Sequence, residues 1–341
     1  MLEWIEDHYA VGERLASESW TILQQQGVNP FKVALESAHE IGLEFHACLR
    51  TAGFHFAPPE DEWNTGGIYD EHPEWHCVDR QGRRTPRLSY AYEGVQQFVI
   101  SLLKEMADYP IDGVCLLYNR RPPIIEYEPS LTDGFKTKYG QDPRQIDDRD
   151  PRWLSFRAAR ISQFMRGVRD AMEEVRQKQR RDKRIEVTAV VLSNERENLY
   201  YGLDVEEWVK NGLVDTLIPY SSVEGGNSLA DSWVNPREAD FFQRITQGTS
   251  CKLALSLLPR QLSPEDYCKR AHSLYQAGVT NLFFWDTNQR TYLYPSWPQL
   301  RRLGHKQEIA DWAQAGSPKF DRPGTNLIRI GDWILRYVTP G

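Results

Sequence analysis

Apolar residues in this chain recur at two spacings. Short runs rich in Val, Ile, Leu and Phe, at 43–49, 113–118, 185–192, 216–220, 252–258 and 281–285, have the form of buried strands. Between them, at 30–41, 94–109, 151–179, 205–211, 264–277 and 297–315, apolar positions fall three and four apart, the period of an amphipathic helix. Continuous apolar strands belong to parallel sheets covered on both faces. The alternation therefore predicts an α/β fold, a TIM-like (β/α) barrel.

Helix ends mark the repeat. Asn29-Pro30 and Ser263-Pro264 set a capping side chain before proline at the first helical position, while Gly42, Gly212 and Gly278 sit where a helix must stop before a strand. The chain reads as one barrel-type domain over 1–341, with a helical or irregular lead-in at 1–29 and a C-terminal helix and tail at 297–341. Eight strands close such a barrel. Six are recognisable, so either two βα units are absent from the N-terminal side or the sheet is open. Two connections, about 51–92 and 120–151, are too long for plain turns and too aromatic for disorder; both follow a strand, on the face where parallel barrels keep their sites.

The residues that follow each strand form the candidate site. They are Arg50 and His55; Tyr118, Asn119, Arg120 and Arg121; Ser193, Asn194, Glu195, Arg196, Glu197 and Asn198; Tyr220, Ser221, Ser222 and Glu224; Arg260; and Trp285, Asp286, Asn288 and Arg290. In a barrel these converge on one concavity. Glycosidic cleavage needs one carboxyl to protonate the leaving oxygen and a second to attack or to activate water. Glu195 is the first choice as acid and Asp286 as its partner, with Glu224 and Glu128 next. Arg50, His55, Tyr118, Asn119, Arg120, Asn194, Tyr220, Trp285 and Arg290 are the candidate sugar contacts. The competing reading of any one acid is an ion pair with a neighbouring Arg, and the arginines themselves suit an acidic or sulfated sugar.

Composition trims this picture. The 11 Trp and 16 Tyr supply flat faces with polar edges, which suit sugar rings, although most must be packing. A net charge of −7 gives no global attraction to nucleic acid or to an anionic membrane, and no apolar stretch is long enough to span one. The composition is that of a water-soluble globular protein, and the compartment stays unassigned. Cys48, Cys77, Cys115, Cys251 and Cys268 have no metal-ligand spacing and read as buried free thiols. His39 and His46 read as packed histidines, the charged run 176–184 as a solvated connection, and Gly66-Gly67 and Gly225-Gly226 lack the helix and Lys of a phosphate loop. No cofactor and no metal are expected.

Several segments together resemble the glycosyl-hydrolase-like proteins labelled family-10-like, barrel proteins of bacterial genomes distantly related to the α-amylase clan. They are 38–47 with Arg50, His72-Pro73-Glu74-Trp75, Leu88-Ser89-Tyr90-Ala91, Asp112-Gly113-Val114, Gly202-Leu203-Asp204 with Trp208, and Leu213-Val214-Asp215 leading to Pro219-Tyr220. The resemblance implies that the segment from Asn29 is the third βα unit, with two strands upstream of Met1. It also exposes a departure: many relatives have Asp after the Asp-Gly-apolar strand, where this chain reads Cys115-Leu116-Leu117-Tyr118-Asn119-Arg120.

Three readings follow. The first is a glycoside hydrolase of undetermined linkage; the second is a glycan-binding or scaffold barrel that has lost its nucleophile. The third is an N-terminally truncated gene product whose open sheet would dimerise.

Overall fold

Six strands pair in parallel in the order the chain makes them, each followed by a return through helix. The computed structural model describes residues 11–52, 68–120, 122–220, 239–257, 262–284, 300–320, 327–330 and 333–336. Helices α1 (Val11–Gln25) and α2 (Pro30–Glu40) precede β1 (His46–Arg50). A short α3 (Ile68–Glu71) and the antiparallel pair β2 (His76–Val78) and β3 (Arg84–Leu88) fill the first long connection before α4 (Glu93–Ala107) and β4 (Gly113–Leu117). Next come α5 (Pro129–Tyr139), α6 (Pro151–Lys178), β5 (Glu186–Val191), α7 (Glu195–Tyr200), α8 (Val205–Lys210) and β6 (Thr216–Pro219). The chain continues through α9 (Asp240–Thr246), β7 (Lys252–Ser256), α10 (Pro264–Gln276), β8 (Asn281–Phe283) and α11 (Lys306–Gln314), and ends on the antiparallel pair β9 (Leu327–Ile330) and β10 (Trp333–Arg336).

The main sheet runs β1-β4-β5-β6-β7-β8, so β1 and β8 are its two edges among the described residues. Side chains alternate across each strand, and the two faces differ. Ala47, Val114, Leu116, Val187, Ala189, Leu217 and Leu255 join the helices in one large apolar core. Leu117, Val190, Ile218, Tyr220 and Ala254, with Cys115 and Phe283, form a separate inner cluster. A cavity of about 690 Å³ lies on that inner face, lined by His46 and Cys48 of β1 as well as by Asn281 and Phe283 of β8. Both edge strands facing one cavity means that the sheet curls. It is six strands of a β/α barrel.

The helix stops fold alike. Gly42, Gly212 and Gly278 have φ of +76°, +63° and +93°. Their N–H groups and those of the next residues, Leu43, Leu213 and Val279, close back on the preceding turn, at His39 and Ala38, Val209 and Trp208, and Tyr275 and Leu274 respectively. Positive φ is what only glycine adopts without strain.

The amino ends of the strands are knitted by carboxylates. Asp112, just before β4, accepts hydrogen bonds from the Phe45 N–H (2.8 Å) and His39 Nε2 (2.8 Å). Asp215, just before β6, repeats the device with the Val187 N–H (2.7 Å) and the Arg169 guanidinium (2.7 Å). Gly113 is required here for space, since a Cβ would come within 2.7 Å of the His46 ring and 2.8 Å of the Glu186 carbonyl oxygen.

Several expectations need correction. Cys48 is exposed and Cys115 half-buried, because both lie on the inner face rather than between sheet and helices. His39 is not a packed histidine, being 38% exposed and bonded to Asp112, and His46 faces the inner cavity with Nδ1 3.0 Å from Thr188 Oγ1. The 176–184 run is only partly solvated: the Arg181 guanidinium donates to the carbonyls of Ala107 (2.8 Å), Tyr109 (2.5 Å) and Ile111 (2.8 Å), closing the carboxyl end of α4. Helix α11 begins later than its pattern suggests, after a 3₁₀ turn at Arg301–Gly304.

Candidate active site at the strand carboxyl ends

The inward row of β4 continues past the strand, from Gly113, Cys115 and Leu117 to Asn119. Asn119 is completely buried, and among the described residues neither atom of its amide has a hydrogen-bond partner. Leaving such a group dry costs about 1–3 kcal/mol, so it is a residue held ready for something else. Tyr220 extends the inward row of β6 in the same way, its ring edge-on to Phe283 at 6.3 Å. Arg50 ends the inward row of β1, exposed and in register with Leu117. These three reach the mouth from different strands.

Tyr118 does not. One residue out of phase, it faces the helices, donates its hydroxyl to Met165 Sδ (2.9 Å) and packs on Trp208 at 5.3 Å. Its role is packing, and it leaves the set of sugar contacts. Arg120 is half-buried beyond it.

After β5, Asn194 caps α7, its Oδ1 accepting from the Glu197 N–H at 2.9 Å. The buried Asn198 amide pins the turn by bonding both the N–H and the carbonyl of Leu192 (3.0 Å each). Together they present Glu195 as the first residue of α7, exposed after the carboxyl end of β5. An acid there also suits the helix dipole, which is the structural role competing with catalysis. His55, Arg121, Ser221, Ser222, Glu224, Arg260, Trp285, Asp286, Asn288 and Arg290 lie outside the described residues.

The two long connections close on each other and carry a second acid pair. The Tyr127 N–H donates to the Val78 carbonyl (2.8 Å) and the Tyr90 N–H to that of Ile124 (2.9 Å). Between these bonds Glu128 is completely buried, its two oxygens accepting from the Glu126 N–H at 3.1 and 3.0 Å. Burial pushes its carboxyl up, against the opposing hydrogen bond from Ser89. Glu126, half-buried with Thr85 Oγ1 3.3 Å from its Oε2, is pushed up by burial and by Asp79. The buried Arg157, whose Nη2 donates to the Tyr200 carbonyl at 2.8 Å, lies in the field of both. Among the described residues these are the carboxyls held above their ordinary range. Glu126 is not among the acids that the sequence pattern singles out; its only signal there is Glu-Tyr-Glu-Pro in a long loop after a strand.

At the opposite end, Glu44, His46 and Glu186 each offer a ligand atom within 4.8 Å of the others, a set able to hold a small cation. Lys252 Nζ already occupies the Glu186 carboxylate at 3.0 Å. An ion there would have to displace that ammonium.

A curled parallel sheet with helices outside and polar residues at the strand carboxyl ends is the layout of a β/α barrel. The profile of the glycosyl hydrolase-like 10 family matches residues 8–228, and the chain belongs to that family. Among solved structures it is similar to the catalytic domain of β-amylase from Paenibacillus polymyxa, at 13% identity and a TM-score of 0.50, covering 76% of this chain and 80% of that one. It is also similar to a β-galactosidase from Halorubrum lacusprofundi, at 15% identity and a TM-score of 0.49, covering 78% of this chain but only 47% of the other. At such identities the first likeness speaks for the fold alone. No curated protein matches the sequence. Among the described residues no helix is long and apolar enough to cross a membrane.

Proposed function

We propose that this chain hydrolyses a glycosidic bond in an oligo- or polysaccharide bound over the strand carboxyl ends. The observation that carries the reading is Asn119, a wholly buried amide on the inward row without a partner among the described residues. Sugar hydroxyls both donate and accept, which matches the two unmet halves of an amide. Asn119, Arg50, Arg120, Tyr220, Asn194, His55, Trp285 and Arg290 would hold the sugar, with Arg50 suited to an acidic or sulfated group. Glu195 would be the acid, and Asp286 or Glu224 its partner as nucleophile or base. Glu126 competes for the acid role, because burial already favours its protonated form.

The test is turnover on a panel of neutral, acidic and sulfated oligosaccharides. Glu195→Gln should cut turnover by about 10²-fold or more, the usual contribution of a general acid, with unchanged circular dichroism and melting. If Glu195→Gln is fully active and Glu126→Gln is not, the acid is Glu126. Binding on a glycan array with no products after long incubation would select the non-catalytic glycan-binding barrel.

A further inference from the structure

We propose that Cys48 and Cys115 are a redox-active pair on the open inner face of the sheet, joined reversibly as a disulfide by exchange with a low-molecular-weight disulfide such as glutathione disulfide.

Strand register brings the two cysteines together. Cys48 of β1 pairs directly with Cys115 of β4 in the parallel ladder. Directly paired residues of neighbouring strands put their side chains on the same face, with the strands about 4.8 Å apart. That is inside the roughly 4.4–6.8 Å between Cα atoms that a disulfide spans. The two thiols lie in each other's field on that face. Access is the second condition. Both line the 690 Å³ cavity, and Cys48 is exposed while Cys115 is half-buried.

The pair is also asymmetric. The Cys115 thiol donating toward Cys48 holds the Cys48 thiol below its ordinary value, against burial, and the Arg50 guanidinium two residues on adds to this. The same contact and burial push Cys115 up. A nucleophilic, exposed thiol beside a protonated one is the arrangement of an attacking and a resolving cysteine. The remaining thiols are poor competitors: Cys77, Cys251 and Cys268 are all buried, and burial lifts Cys251 to about 12 and Cys268 to about 11.

The exchange balances. The Cys48 thiolate attacks one sulfur of glutathione disulfide, forming a mixed disulfide and expelling one glutathione thiolate, which takes up a proton. Cys115 then loses its proton to solvent and attacks Cys48 Sγ, expelling the second glutathione. Two protein thiols are oxidised by two electrons, and one glutathione disulfide is reduced to two thiols. The bond formed ties β1, the sheet edge among the described residues, to its neighbour.

The test equilibrates the 341-residue chain with reduced and oxidised glutathione at graded ratios, alkylates the free thiols and maps the peptides. The expected result, with alkylation carried out in acid-quenched, denatured samples, is one internal Cys48–Cys115 link, with Cys77, Cys251 and Cys268 alkylated at every ratio. Cys115→Ser should leave glutathione trapped on Cys48; Cys48→Ser should leave Cys115 unmodified. Near-ultraviolet circular dichroism checks that both variants fold. The proposal is overturned if the wild-type chain stops at glutathionylated Cys48, links Cys48 to a second chain on a non-reducing gel, or keeps both thiols alkylatable in fully oxidising buffer.

Discussion

The two ends of the sheet treat their acids in opposite ways. At the amino ends, Asp112 and Asp215 each sit between a backbone N–H and a basic side chain, and each ties a strand start to its neighbour. At the carboxyl ends, Glu126 and Glu128 are pushed toward their neutral forms by burial, and Asn119 is buried with nothing to bond. One end pairs its carboxylates with donors; the other holds its carboxyls toward neutrality. In β/α barrels the amino-terminal face serves stability and the carboxyl-terminal face serves chemistry. The contrast in this chain is that rule expressed in individual hydrogen bonds. The segments that carry the family resemblance lie at both ends: His39, Asp112-Gly113 and Asp215 belong to the stabilising one, Arg50 and Tyr220 to the other.

The largest effect should come from cutting the knot at Asp215. Its carboxylate meets Arg169 with both side chains 14% exposed, and Arg184 at 3.2 Å as well. Asp215→Ala leaves the half-buried Arg169 guanidinium with the Ile185 carbonyl alone, and the loss should approach the roughly 3 kcal/mol at the lower end for a buried pair that loses one partner. Urea melts should show the midpoint falling steeply. A loss under about 1 kcal/mol would mean that this end is not the stabilising one. Next comes the reverse experiment at Asn119. Asn119→Leu replaces an unsatisfied buried amide by an apolar group of similar size, so stability should rise by about 1–3 kcal/mol while sugar turnover or binding falls. A variant both less stable and fully active would remove Asn119 from the site.

Much of this frame is legible in the sequence. Six strands, the helices between them and the glycine stops follow from period and punctuation, because strand and helix cores are local patterns. What escapes is set by tertiary contact. Helix α5 hides behind Gly134 in its interior, a residue that disfavours helix but admits the Phe156 ring, which a Cβ would meet at 3.2 Å. Helix α9 and the pairs β2–β3 and β9–β10 are too short for a period to show. In the site, the position of Asn119 on the inward row follows from alternation along β4, and so does the opposite facing of Tyr118, which its sequence neighbours disguise. The burial of Glu126 and Glu128 cannot be read from local pattern, since it depends on two loops distant in sequence closing on each other.

The finest test of the contrast is its sign with pH. For Asp112, burial alone would raise the carboxyl, but the Phe45 N–H and His39 outweigh it and the folded-state value is lowered. Such a group adds stability that is present above the unfolded carboxylate value of about 3.9 and is lost as pH falls through the lower folded value. The advantage of wild type over Asp112→Asn, about 1 kcal/mol from the hydrogen bonds, should therefore shrink in acid. For Glu128, burial raises the folded value above the unfolded one of about 4.3. Its contribution is fully present below that pH and is lost as pH rises through the higher folded value. The stability of wild type relative to Glu128→Gln should thus decline between acid and neutral pH, the slope opposite to that of Asp112. Urea melts of the three proteins at a series of pH values read both slopes together. Parallel slopes would mean that the acids at the two ends are not held in different states, and the division of labour between the faces would fall with them.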